Sequence, residues 1–285
     1  MIVLTLKDGL GNQLFQYAAA KSLAAKLKTK VKLDTSSFKK NHLRTYSLNN
    51  FSIDEKFISG AEHFLLRAAN AISKTLNKAG IKMRSYRYFE QGLEFNPAFF
   101  DTKNNSYIEG YWQSEKNFED IEDIIRKQLQ VKSQPDQKNA AIIAQMNASD
   151  SVSLHIRRGD YVIDATTNSI HGVCGLDYYE AAIQYIKANV VSPSFFIFSD
   201  DMEWVKQNLQ IPGSLVAYMD HNGEKDYEDL RLMYSCKHNV IANSSFSWWG
   251  AWLNSNGGKI IIAPKNWFKS TRTNSSLLPE SWIKL

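Results

Sequence analysis

Cysteine is nearly missing from this sequence, long apolar runs are absent, and neither a metal-ligand spacing nor a phosphate-loop signature occurs. Two cysteines among 285 residues, Cys174 and Cys236, lie far apart with no C-x-x-C spacing. That excludes a disulfide scaffold and a zinc site and makes a reducing compartment the default. The opening apolar stretch, MIVLTL, ends at Lys7 and Asp8. It is too short for a signal core or a bilayer span and reads as a first strand. The longest amphipathic segment, Ala61 to Ala79, is interrupted by Arg67, Lys74 and Lys78. It cannot cross a membrane, although its mixed face can touch one. No G-x-x-x-x-G-K-[ST] occurs, so a P-loop nucleotidase is excluded. No internal repeat or low-complexity tract is visible.

What is present is an ordinary globular composition, 44% apolar and 12% aromatic, with a mild net charge of +5. That charge is no nucleic-acid signature. Part of the excess is local, with eight Lys and Arg between Lys21 and Leu48 against Asp34 alone. This reads as a solvated basic face or as attraction to an anionic surface.

The apolar pattern predicts strands at Met1–Lys7, Lys30–Asp34 and Tyr107–Trp112, with helices at Gln13–Lys28, Ala61–Ala79 and Ser114–Gln130. A polar stretch, Lys132–Ser149, looks like a boundary containing at most a short helix. Beyond it, strands at Ser151–Ile156, Phe195–Ser199, Ser214–Tyr218, Asn239–Ala242 and Lys259–Ala263 alternate with four helices. The pattern predicts an α/β protein of two Rossmann-like β/α/β domains facing a cleft, residues 1–148 and 149–285, the first less regular.

Ligands of open α/β sheets sit beyond the carboxyl ends of the strands, and here those ends are unusually polar. The first strand runs into DGLGNQ, the Ser151 strand into RRGDY, the Phe195 strand into SDD, and the Asn239 strand into NSSFSWW. Four such ends favour one composite site. GLGNQL lacks the third glycine of a dinucleotide turn, because Leu14 stands there. It still permits a tight turn with Asn12 and Gln13 as amide donors.

Arg157 and Arg158 carry the stronger signal, since a guanidinium offers a planar fork of donors matched to phosphate oxygens. The plainer reading pairs one of them with Asp160. Asp160 itself reads either as a general base or as the group that orients an arginine. His155 shares a strand face with Arg157 and reads equally as a core histidine. Ser244, Ser245 and Ser247 open a helix where hydroxyls suit capping and anion binding. Trp248, Trp249 and Trp252 read as core. The adjacent acids of SDD suit capping of the next helix better than a metal.

Taken in order, GLGNQLFQYA, GYWQSEKNF, HIRRGDYV, FSDD and NSSFSWWGAWL resemble the motifs of the α-1,2-fucosyltransferases, which move fucose from GDP-fucose to the 2-hydroxyl of a terminal galactose. The likeness spans Gly9 to about Leu253. It implies a GT-B fold, inverting chemistry, and neither a metal nor a cofactor, GDP-fucose being the donor substrate. The C-terminal half would hold the donor and the N-terminal half would face the acceptor. Arg157 would carry the donor's β-phosphate, with Arg158 assisting it or serving a structural role. His155, Asp200, Asn12 and the segment Asn243, Ser244, Ser245 and Ser247 would line the donor site. Asp160 is the first choice of base, with Asp8 and Glu109 behind it. Asp8, Glu109, Trp112 and Gln113 would meet the acceptor. Starting at its first strand, the chain resembles bacterial soluble forms, which predicts a cytoplasmic enzyme of surface-polysaccharide synthesis, peripheral to the inner membrane and independent of nucleic acid.

Overall fold

The computed structural model describes residues 1–39, 44–269 and 275–285, and only the backbone of Asp160. Contacts divide the chain into two units. The first is Met1–Gln130, joined by a short return from the C-terminal end in which Ser275 donates to Glu94 and Ser276 accepts from the Phe95 amide. The second begins at Val131.

In the first unit β1 (Ile2–Thr5) leads into α1 (Leu10–Lys26), then β2 (Val31–Asp34), α2 (Gly60–Lys78), β3 (Arg87–Phe89), β4 (Ser106–Glu109) and α3 (Glu122–Gln128). The sheet is parallel in the order β2-β1-β4-β3. Ile2, Val3 and Leu4 have no exposed surface, which is why β1 is apolar throughout rather than alternating. Ser59 and Glu62 form a reciprocal capping box that starts α2. The helix read at Ser114–Gln130 begins instead as two short 3-10 turns, and only the seven residues Glu122–Gln128 are α-helical. Phe118, at φ −148°, interrupts it.

The second unit runs α4 (Gln137–Ala148), β5 (Asp150–Ile156), α5 (Gly159–Ile163), α6 (Ala165–His171), α7 (Leu176–Asn189), β6 (Pro193–Ser199), α8 (Met202–Asn208), β7 (Leu215–Met219), α9 (Asp226–Ser235), β8 (His238–Val240), α10 (Ser245–Leu253), β9 (Ile261–Ala263) and β10 (Ile283–Lys284). Its six parallel strands lie in the order β10-β9-β8-β5-β6-β7. Counted from β5, that is the doubly wound order 3-2-1-4-5-6, whose direction of winding reverses between β5 and β8. One apolar cluster joins β5, β6 and α7 through Leu154, Ile197 and Ile186.

The expected boundary at 148/149 is displaced. α4 belongs to the second unit, where Asp136 caps it and Met146 packs with Phe196 and Leu232. Of the basic stretch, Lys40 lies outside the described residues, while Lys21 pairs with Asp54 at 2.6 Å and Lys32 with Glu62 at 2.5 Å.

Candidate functional site

In the second unit the chain leaves β5 at the reversal point and places Arg157 beside the end of β6. Arg157 Nη1 lies 2.9 Å from Asp200 Oδ2, and its guanidinium carbon is 5.4 Å from the centre of the Tyr161 ring. Tyr161 stacks on His171 at 5.0 Å and donates its hydroxyl to the Asn243 carbonyl at 3.3 Å. The other Asp200 oxygen accepts the Arg158 backbone N–H at 2.8 Å. Asp200 therefore grips both arginine residues at once. A Cβ on Gly159 would come 2.4 Å from Asp200 Oδ2, so glycine is what lets this carboxylate approach.

Arg158 is held differently. Its Nε donates to Asp201 Oδ2 at 3.1 Å and its guanidinium lies 3.7 Å from the Trp204 ring centre. Asp201 also caps α8 through the Trp204 amide, as the adjacent acids suggest. Arg158 is thus built into the wall by Asp201 and Trp204, while Arg157 is held by Asp200 and Tyr161. The side chain of Asp160 lies outside the described residues; its backbone falls in α5.

His155 is 4% exposed, meets Phe246 edge to face, and has no hydrogen-bond partner at Nδ1. Burial, outweighing the attraction of Asp200, pushes its pKa down to about 4, so it is a neutral imidazole. From β8 the chain enters α10. Ser244 caps the helix through the Phe246 amide, Ser247 turns back to the Ala242 and Ser244 carbonyls, and Ser245 is half exposed. Asn243 does something the sequence does not suggest. Its amide donates to the carbonyls of His171, Gly172 and Trp267 and accepts from Cys174, so it ties loops together beneath the site rather than reaching a ligand. Trp248, Trp249 and Trp252 are core, at most 4% exposed.

In the first unit the winding reverses between β1 and β4, and the same logic gathers their ends. Tyr111 Oη donates to Asp8 Oδ2 at 2.7 Å, and Gln113 Nε2 donates to Asn12 Oδ1 at 2.8 Å. Lys7 pairs with Glu109 at 3.6 Å and lies over the Tyr111 ring at 4.6 Å. Glu90 accepts the amides of Tyr111 and Trp112 at 2.6 and 2.9 Å, and burial raises its pKa. Asp8 and Trp112 both adopt positive φ, 65° and 49°, which costs on the order of 1 kcal/mol each. Trp112 is only 2% exposed and packs on Phe99 at 5.1 Å. It is a core ring and offers no face to an acceptor, contrary to expectation. Tyr161, Trp204, Lys7, Glu90 and Tyr111 escape a sequence reading, although Tyr161 stands four residues after Arg157 and could have been found by that spacing.

Both units place their chemistry at the carboxyl ends of parallel strands, and the second presents a fixed arginine and a helix N-terminus there. This defines an α/β protein in the GT-B class of folds, with a cation at the carboxyl end of its second sheet. The family model for glycosyl transferase family 11 matches residues 1–285, and the chain belongs to that family. It is 33% identical to an α-1,2-colitosyltransferase of Escherichia coli, over the whole of this chain and 99% of that one. It is 35% identical to the O-antigen biosynthesis glycosyltransferase WbnK of the same species, over 98% and 99%. Among solved structures, NodZ α-1,6-fucosyltransferase soaked with GDP-fucose superposes with a TM-score of 0.51 at 13% identity, covering 88% of this chain and 91% of that one. At that identity the likeness speaks to the fold alone. The chain is a glycosyltransferase related to the α-1,2-fucosyltransferases. Among the described residues, no helix is long and apolar enough to cross a membrane.

Proposed function

We propose that this enzyme transfers fucose from GDP-β-L-fucose to the 2-hydroxyl of a terminal β-galactose, with inversion and without a metal. The observation that carries the reading is Arg157, fixed by Asp200 and Tyr161 at the reversal point of the second sheet. A cation held there meets the β-phosphate, whose charge grows as the bond to fucose breaks. It stabilises the transition state more than the ground state. The first-turn amides of α10 and Ser245 suit the same diphosphate. His155, uncharged and buried, adds no further charge to the donor side.

Inversion is a single displacement: the acceptor oxygen bonds to C1 as GDP leaves, and the hydroxyl proton passes to a carboxylate. Asp160 is our first choice of base. Asp8 and Glu109, at the strand ends of the first unit, are assigned to the acceptor with Gln113. A cytoplasmic setting fits two free thiols, of which Cys174 is pushed up to about 11 by burial.

The test is incubation with GDP-fucose and lactose in EDTA, followed by NMR of the product linkage. We expect acceptor-dependent GDP release and an α-1,2 bond to galactose. Strict metal dependence, or no turnover with any β-galactoside, overturns the reading. The colitosyltransferase relative favours a second donor, GDP-colitose, whose sugar is fucose without its 3-hydroxyl. Competing the two donors at equal concentration separates the readings.

A further inference from the structure

The helix α2 is inside out. At 100° per residue, Phe64, Leu65, Ala68, Ile72 and Leu76 fall within an arc of about 120°. An amphipathic helix of a globular protein turns such an arc to the core, yet Phe64, Leu65 and Ile72 are 71, 64 and 59% exposed. The side turned inward carries Leu66, Asn70 and Ser73. Leu66 alone of these docks on the sheet as a large apolar group, against Val3 and Tyr107. The patch continues past the helix. Asn77 exchanges hydrogen bonds with the Met83 backbone and folds the following turn back, leaving Ile81 and Met83 exposed as well. Five of the fifteen exposed large apolar side chains among the described residues lie in these twenty positions, 64–83.

The charge beside this face is of one sign. Arg67, Lys74 and Lys78 run along one flank of the apolar arc, Lys82 and Arg84 follow, and no acid occurs between Phe64 and Arg84. Glu62, the one acid within the helix, is paired with Lys32. An apolar stripe bordered by cations is the pattern of a helix lying in a membrane interface, with rings and branched chains among the acyl tails and ammonium groups at the phosphates. A second copy of the chain would meet this face with the same cations and no acid.

We propose that α2 and the turn through Arg84 form a docking surface for an anionic lipid bilayer. This goes beyond the donor and acceptor reading and does not depend on it.

Vesicle flotation of the full chain tests it, using phosphatidylcholine with and without phosphatidylglycerol. Binding should require the anionic lipid and should weaken at least about tenfold on raising salt from about 0.05 to about 0.5 M. Leu65→Ser with Ile72→Ser should weaken it about tenfold or more, and Lys74→Glu with Lys78→Glu about fivefold per cation. All four side chains are exposed, so the melting temperatures should stay near that of the parent. No flotation, flotation on neutral lipid alone, or binding indifferent to both pairs overturns the proposal. So does a parent dimer, seen by sedimentation velocity, that Leu65→Ser with Ile72→Ser dissolves while lipid binding persists.

Discussion

Replacing Gly159 by alanine adds one carbon at a defined place. Its Cβ would lie 2.4 Å from Asp200 Oδ2 and 3.0 Å from Asp200 Cγ. An ordinary contact needs about 3.5 Å, so the carboxylate must withdraw by about 1 Å. Gly159 opens a helix and its φ needs no glycine, so the backbone itself accepts the change. The withdrawal takes Asp200 out of reach of Arg157 Nη1, now at 2.9 Å, and disturbs its bond to the Arg158 amide at 2.8 Å. The stability cost is small. Both partners of the ion pair are about a quarter exposed, which limits its worth to under about 1 kcal/mol. A weakened backbone bond adds about 1 kcal/mol, and the stiffer unfolded chain returns about 0.5 kcal/mol. The catalytic cost is larger, because a 1 Å error in placing a charge-stabilising group costs about 100-fold. We therefore expect kcat for acceptor-dependent GDP release to fall about 10- to 100-fold while thermal unfolding shifts by only a few degrees. Asp200→Asn should behave alike. Full activity in Gly159→Ala would refute the claim that Asp200 holds Arg157 in place.

The remaining expectations concern other parts of the chain. His155 titrates near 4 when folded against 6.5 ordinarily, so below pH 6.5 the unfolded chain binds a proton that the folded one refuses. Stability should fall from pH 6.5 to about 4 by about 3 kcal/mol, and His155→Gln should lose that slope in a series of melting curves. Glu90→Ala releases the Tyr111 and Trp112 amides and should raise the acceptor KM about tenfold while acceptor-independent GDP-fucose hydrolysis stays at the parent rate. An unchanged KM would separate that loop from acceptor binding. Trp249→Ala, at a fully buried core ring, should cost about 3–5 kcal/mol in denaturant unfolding.

Much of this architecture is legible in the sequence because parallel strands buried on both faces are written as apolar runs. β1 and β6 contain such runs, β5 sets Val152, Leu154 and Ile156 between small polar residues and His155, and each ends abruptly in polar residues. That change of composition marks the carboxyl ends where the chemistry sits. β3 and β10 have three and two residues, below the length at which a period can show. The partners of the arginines are hidden for another reason. Arg157 meets Asp200 across 43 positions, a pairing made by the β5–β6 register and not by local spacing. Asn243 and Trp112 mislead because a polar or aromatic residue after a strand reads the same whether it faces a ligand or ties the floor. The stretch around α4 looks like a linker because its inward face needs only Asn139 and Met146 buried.

The central claim is that Arg157 receives the donor's second phosphate at the reversal point of the second sheet. Titration calorimetry of GDP against GMP, in the parent and in Arg157→Ala, tests it most directly. The parent should prefer GDP about 10- to 100-fold, the worth of a charge-assisted bond to one phosphate, and Arg157→Ala should bind the two alike. A variant that keeps the parent's full preference for GDP would contradict the account.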